Sequence, residues 1–144
     1  MTLVELLVVL GVIGLIVSMS LPALATYSRQ VRLKAITRQA IGLVTLARSS
    51  AISAHEPHEL ILDQERRELR VVNVTSGEVL EQAIRLPQGV TVEFQVAGSS
   101  STDGHLSFRP TGALTGRTTT LVLSDGQKQR TITIMGATGA LTVQ

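Results

Sequence analysis

The first 25 residues of the chain are almost entirely apolar, and they constrain what the rest can form. Residues 6 to 17 contain no polar side chain, and the apolar run continues to Ala25 with two serines as its only polar side chains. As an α-helix this run is about 35 Å long, enough to cross a bilayer core of about 30 Å. A chain of 144 residues is too small to bury such a helix on all sides. We therefore predict that residues 1–25 form a hydrophobic transmembrane helix.

Glu5 carries the only formal side-chain charge in this segment. A carboxylate inside an apolar helix is costly unless it is paired, so an intramembrane acid is by default a candidate functional group. The alternative is that Glu5, which lies close to one end of the segment, extends to the lipid headgroups. Spacing alone favours neither interpretation.

The first nine residues, Met-Thr-Leu-Val-Glu-Leu-Leu-Val-Val, resemble the mature N-terminus of type IV pilins and type II secretion pseudopilins. Those proteins have Glu at the fifth mature position and often Pro at the twenty-second, which match Glu5 and Pro22 here. The resemblance implies that Met1 is exposed by a prepilin peptidase and N-methylated, and that Glu5 acts in subunit assembly. It also implies that the helix loosens around Gly11, Gly14 and Pro22 in an assembled filament.

The residues after the apolar run bear on membrane orientation. Four bases follow it, with no acid between Thr26 and Ala54: Arg29, Arg32, Lys34 and Arg38. The positive-inside rule places such a flank in the cytoplasm. The resemblance implies the opposite orientation, because in pilin-like proteins the leader removed before the first mature residue supplies the cytoplasmic charge. We expect a single-pass inner-membrane protein with its C-terminal domain in the periplasm.

Residues 26–55 read as an amphipathic continuation of the helix. The apolar positions recur at helical spacing at Leu33, Ile36, Ala40, Leu43, Ala47 and Ala51. Pro57 predicts that the helix ends near Ala54 or His55. With residues 56–144 this segment is expected to fold as one unit.

Residues 56–144 have the period-two alternation of β-strands. Strands are predicted at 59–63, 68–75, 79–86, 90–96, 105–109, 118–124, 130–135 and 140–143. One long helix followed only by strands predicts an α+β fold in which the helix packs on antiparallel sheet. This part of the chain also resembles the GspH and FimT branch of minor pseudopilins and minor pilins, with a type IV pilin-like fold. Three segments carry that resemblance: Leu46–Ile52, Phe108–Gly112 and Ile132–Gly139.

Residues 97–104, Ala-Gly-Ser-Ser-Ser-Thr-Asp-Gly, are predicted to be a mobile loop. Its central residues are candidates for contact with a partner protein: Ser99, Ser100, Ser101, Thr102 and Asp103.

Nucleic-acid binding is the alternative that the basic residues of the last third raise. Arg109, Arg117, Lys128 and Arg130 outnumber the acids there, and some minor pilins of this branch bind DNA. Four scattered bases are equally typical of an ordinary surface. Three aromatic residues in all are too few for a base-stacking platform, so a nucleic-acid partner is not expected.

The sequence gives little support for a metal site or for nucleophilic catalysis. His55-Glu-Pro-His-Glu59 places its two histidines three residues apart around a proline, whereas the zinc-protease motif needs a spacing of four on an intact helix. The serines of residues 99–101 lack a base nearby in the sequence, and the chain has no cysteine. We predict no cofactor, no metal and no enzymatic activity.

The resemblance implies a minor pseudopilin near the tip of a type II secretion pseudopilus, which helps to initiate assembly and to export folded proteins across the outer membrane. The expected partners are major and minor pseudopilins, prepilin peptidase and inner-membrane lipid, together with secreted substrates or the secretin. The alternative is a minor type IV pilin that acts in pilus initiation, adhesion or DNA uptake.

Overall fold

The structure, a computed structural model, describes residues 2–80, 83–96, 99–101 and 104–144, with the side chains of all of these except 19–26 and 99–101. One helix is followed by nine strands in this part of the chain. They are α1 Leu3–Ala54, β1 His58–Asp63, β2 Glu68–Asn73, β3 Ile84–Arg85, β4 Thr91–Val96, β5 Ser99–Ser101, β6 His105–Phe108, β7 Thr119–Ser124, β8 Gln129–Ile134 and β9 Leu141–Val143. The α+β fold is thereby confirmed.

Helix α1 has a defined signal at each end. At its start Thr2 Oγ1 accepts the Glu5 backbone N–H and a Glu5 carboxylate oxygen accepts the Thr2 N–H, both at 3.3 Å. This reciprocal pair is a capping box, which satisfies two donors that the first turn leaves free. At the other end His55 takes a left-handed φ of 56°, and Pro57, whose ring lacks an N–H, follows. The helix therefore ends where the proline predicts.

The chain divides into two compact units, Met1–Arg32 and Leu33–Gln144. In the first unit the described backbone is helical from Leu3 onward. No helix within the described part of the chain is both long and apolar enough to cross a membrane. The membrane segment predicted at residues 1–25 also includes Met1 and the side chains of residues 19–25, which lie outside that part.

The second unit packs the C-terminal half of α1 with two antiparallel sheets. The four-stranded sheet has the order β3-β2-β1-β6, and the five-stranded sheet has the order β5-β4-β7-β8-β9. In the larger sheet Phe94 lies opposite Leu121, which lies opposite Ile132. Because side chains alternate between the faces of a strand, such registers collect the apolar residues on one face.

The core of the second unit is formed by the helix stripe and the inward faces of both sheets. All six predicted stripe residues, from Leu33 to Ala51, are buried, and Ala40, Ala47 and Ala51 are completely so. The strands contribute large side chains, chiefly Leu60, Leu69, Phe94, Phe108, Leu121, Leu123, Ile132 and Ile134. The small alanines let the helix backbone come close to these residues, which is why a sheet packs on this face.

The prediction of a loop across residues 97–104 is wrong at its centre. Ser99–Ser101 form strand β5, which pairs with β4 so that Val96 lies opposite Ser99 and Phe94 opposite Ser101. Strand pairing uses backbone donors and acceptors, which serine supplies as well as any residue other than proline. The polar side chains pointed to a loop but do not prevent a strand at the edge of a sheet. Residues 97, 98, 102 and 103 lie outside the described residues.

The strand predicted at residues 79–86 is also shorter in the structure. Val79 forms an isolated bridge with Val72, and the regular strand β3 comprises only Ile84 and Arg85. Residues 81 and 82 lie outside the described residues.

Candidate assembly site

The N-terminal part of α1 presents apolar side chains in every direction. Residues 6–10 are five consecutive large apolar residues, each between 49% and 62% exposed. Five residues cover more than one helical turn of 3.6 residues, so no face of the helix is polar. The same exposure continues to Val17. A helix of this kind needs lipid or other apolar helices around it.

Glu5 lies in the first turn of this apolar helix, with its side chain tied to Thr2 by the capping box. It forms no ion pair within the described residues. The sequence analysis missed the role of Thr2, although a threonine three residues before a glutamate at the start of an apolar run is the signal for a capping box. Glu5 thus has a local role at the helix start, separate from any role in assembly.

The residues predicted to weaken the helix lie within continuous α-helix. A Cβ placed on Gly11 or Gly14 meets no atom within 4 Å, so packing inside the chain does not require glycine at either position. The backbone at Pro22 is helical. Loosening of this region in a filament stays a prediction, and Met1 lies outside the described residues.

Arg48 forms a polar cluster in the second unit that the sequence analysis did not foresee. From α1 its Nε donates to the carbonyl oxygen of Gly112 at 3.2 Å, and its Nη2 donates to that of Thr138 at 3.0 Å. Gly112 and Gly139 both have positive φ, 81° and 66°. We call Arg48, Gly112, Thr138 and Gly139 the Arg48 cluster.

The Arg48 cluster explains why three separated segments share one family pattern. Leu46–Ile52 supplies the arginine, Phe108–Gly112 supplies one acceptor, and the turn that ends at Gly139 supplies the other. Gly112 is favoured by its positive φ, and a Cβ there would lie 2.7 Å from Ile52 Cδ1, the end of an exposed side chain that can move aside. This cluster joins the helix to two loops and has the character of a structural site.

The four bases considered for DNA binding lie in two separate pairs along the chain. Arg109 and Arg117 lie in the connection between β6 and β7, where Arg109 Nη2 donates to the Thr115 carbonyl oxygen at 3.3 Å. Lys128 and Arg130 lie at the turn between β7 and β8, where Arg130 is opposite Leu123. The six residues of β7 separate the two pairs by about 17 Å.

The polar residues around His55 and His58 form hydrogen bonds in the connection between α1 and β1. His58 is buried in β1, and its Nδ1 lies 3.0 Å from the Glu56 carbonyl oxygen, while His55 is exposed. Asn73 donates to the Glu56 carboxylate at 2.6 Å, and its own Oδ1 accepts the N–H groups of Thr75 and Ser76. Among the described residues no three histidine, aspartate or glutamate side chains are grouped to hold a metal ion.

Comparison with solved structures shows the same fold in two proteins of low sequence identity. The type IV minor pilin FimU of Pseudomonas aeruginosa PAO1 is 16% identical, with a TM-score of 0.64 over 82% of this chain and 92% of FimU. The minor pseudopilin EpsH from the type 2 secretion system of Vibrio cholerae is 15% identical, with a TM-score of 0.55 over 80% of this chain and 94% of EpsH. No curated protein sequence matches the chain.

The sequence of residues 23–138 matches the family described as type II transport protein GspH. This family is structural, which confirms the prediction that the protein is not an enzyme. The match takes in most of the 144 residues, including Arg48, Gly112 and Thr138 of the Arg48 cluster. The chain belongs to the GspH family.

Proposed function

We propose that this protein is a minor pseudopilin of a type II secretion system, placed near the tip of the pseudopilus, where it helps to initiate assembly and to export folded proteins across the outer membrane. The observation that carries the proposal is the GspH family match across residues 23–138, preceded by a helix that is apolar on all faces. Such a helix can pack against the apolar helices of neighbouring subunits in a filament, whereas the domain after it has its own core.

The proposal includes single-pass insertion in the inner membrane before assembly, with the C-terminal domain in the periplasm. Twelve large apolar residues from Leu3 to Val17 are exposed in the isolated chain. Burial of such side chains in lipid or among neighbouring helices is favourable by about 1.5–3 kcal/mol each. The same segment therefore serves the membrane state and the filament state.

The proposed partners are other major and minor pseudopilins, with prepilin peptidase acting on the N-terminus and the secretin or secreted substrates contacting the assembled tip. Ser99–Ser101 form an edge strand, and with residues 102 and 103 they remain the proposed contact for a partner. An edge strand offers unpaired backbone groups to a second chain.

A minor type IV pilin is the second candidate function. The similarity to FimU, a type IV minor pilin, has a higher TM-score than the similarity to EpsH, 0.64 against 0.55. Deletion of the gene separates the two candidates. Loss of an exported protein from the medium with pili retained supports the pseudopilin, and loss of pili with export retained supports the pilin.

Glu5 is the residue that we propose to act in assembly. The segment from residue 6 to residue 28 contains no base, so the chain offers Glu5 no cationic side chain at a similar depth. The remaining cation is an N-terminal amine, either its own or that of a neighbouring subunit displaced along the filament. A subunit at the extreme tip has no neighbour above it. If assembly requires Glu5, this protein therefore lies beneath at least one other subunit.

Two substitutions at Glu5 separate assembly from helix capping. Glu5→Gln keeps an oxygen that accepts the Thr2 N–H, because glutamine also completes a capping box, but it removes the charge. Glu5→Leu removes both. The chain has no native cysteine, so single cysteines placed in residues 2–20 report cross-links to cysteines in partner pseudopilins.

If Glu5 pairs with a cation, we expect both variants to stay in the membrane and to lose the cross-links and protein export. If Glu5 only caps the helix, Glu5→Gln assembles and exports like the parent chain. Normal export by Glu5→Leu would show that assembly needs neither the charge of Glu5 nor its capping hydrogen bond.

A further inference from the structure

The short segment that follows the apolar run of α1 has an unusual composition. Tyr27, Arg29 and Arg32, which we call the basic collar, are all exposed, and the tyrosine is 66% exposed. Arg29 and Arg32 are three residues apart on a helix and therefore lie on the same face. The collar lies wholly within the N-terminal unit of the structure.

Within the described residues neither arginine forms an ion pair. The sequence contains no acid between Glu5 and Glu56, so no helical neighbour at a spacing of three or four can pair with either guanidinium. The ion pairs found within the described residues involve other arginines, namely Arg66, Arg70 and Arg85. Two exposed cations on one helix face therefore present uncompensated positive charge.

The position of the collar along the helix matches the headgroup layer of a bilayer. The polar layer on each side of the hydrocarbon core is about 5–7 Å thick. At 1.5 Å per residue, the Cα atoms of Arg29 and Arg32 lie about 6 Å and about 10 Å beyond Ala25 along the helix axis. Helical side chains point back toward the N-terminus, which returns both guanidinium groups toward the headgroups.

We propose that the basic collar binds the phosphodiester groups of anionic phospholipids when the chain is in the membrane, with Tyr27 anchored at the same interface. This inference rests on the membrane insertion included in the proposed function. Guanidinium groups bind phosphate oxygens in pairs, and tyrosine is enriched at membrane interfaces. The arginines hold the helix at a fixed depth beside anionic lipid.

Lipid fits these observations better than an acidic protein partner does. The collar is continuous with the apolar segment, so the surface that surrounds that segment also reaches the collar. A lipid contact also explains why basic residues follow the apolar run. In the proposed orientation these residues lie on the periplasmic side, which departs from the positive-inside rule. A lipid contact gives these charges a role that does not depend on topology.

The test uses the full chain reconstituted in phosphatidylcholine vesicles with and without phosphatidylglycerol. Insertion is scored by flotation and by resistance to carbonate extraction, and lipid preference by the association of spin-labelled phosphatidylglycerol relative to spin-labelled phosphatidylcholine. Arg29→Gln with Arg32→Gln is compared with the control Lys128→Gln with Arg130→Gln, which removes the same charge from the other unit.

We expect the parent chain and the control to prefer phosphatidylglycerol, and the preference to weaken as salt is raised. The collar variant should lose about fivefold of this preference for each arginine removed, with insertion unchanged. An inserted parent chain without the preference overturns the collar proposal alone, as does an equal loss of the preference in the control. A chain that inserts in neither vesicle overturns the proposed membrane state and the collar proposal together.

Discussion

Among the glycines that the structure describes, Gly139 leaves the least space for a side chain. It has a φ of 66°, and a Cβ placed on it collides with the Gly112 carbonyl oxygen and lies 2.9 Å from Arg48 Nε. The oxygen involved is the one to which Arg48 donates. An alanine here therefore strains the backbone and displaces a hydrogen-bond acceptor of the Arg48 cluster.

We predict that Gly139→Ala lowers the free energy of unfolding by at least about 3 kcal/mol. The matched control is Gly126→Ala, which has a similar φ of 84° but no atom within 4 Å of its Cβ. The free energy of unfolding of the control should fall by only about 1–2 kcal/mol, which is what the left-handed conformation costs a residue with a Cβ. Urea denaturation of the chain from Ser28 onward measures both, and equal losses would show that the close contact at Gly139 relaxes freely.

At the residue scale the sequence predicted positions better than contacts. The buried helix stripe could be found from spacing, because it depends on a local pattern, whereas a role of Glu5 in assembly stays a prediction. The contacts of Arg48 could not be found in this way, because its two acceptors lie 64 and 90 residues away in the chain. A helical arginine beside a buried alanine is typical of an ordinary surface until the fold places those carbonyls beside it.

At the scale of elements, the contact between α1 and the loops depends on Arg48. Its guanidinium donates to the connection between β6 and β7 and to the turn before β9, so one side chain holds two loops against the helix. Removing the donors leaves the partly buried Gly112 carbonyl oxygen and the exposed Thr138 carbonyl oxygen without this partner.

We predict that Arg48→Met destabilises the second unit by about 1–3 kcal/mol, chiefly the cost of leaving the partly buried Gly112 carbonyl oxygen without this donor. Methionine retains much of the length and the helix propensity of arginine, so the change isolates the donors. Arg38→Met, at an exposed position of the same helix, should change stability by less than about 0.5 kcal/mol. Urea midpoints measure the difference, and similar midpoints for the two variants would contradict a structural role for Arg48.

Strand β5 shows why element prediction failed where it did. The sequence Ser-Ser-Ser has neither the alternation nor the β-branched side chains by which strands are recognised. The strand forms because it pairs with the edge of β4, which is a tertiary cause. The longer strands β4, β7 and β8 were predictable because each buries one alternating apolar face.

At the scale of the whole molecule, the fold and the apolar helix are separable. Every buried apolar side chain in the described part of the chain lies at or after Leu33. The apolar residues from Leu3 to Val17 add exposed surface and no core. The sequence shows this separation as a change from a uniform apolar run to an apolar stripe at helical spacing.

We predict that a chain starting at Ser28 is soluble, monomeric and cooperatively folded, with mixed helix and strand by circular dichroism, because it keeps the entire described core. A chain starting at Gln39 is the matched control, since it lacks the buried Leu33 and Ile36 and should be less stable by about 3–6 kcal/mol. Thermal and urea unfolding with sedimentation velocity measure both chains. A gradual melt or obligate aggregation of the longer fragment would mean that residues before Ser28 belong to the folding unit. Equal stability of the two fragments would mean that the first turns of the helix stripe contribute nothing to the core.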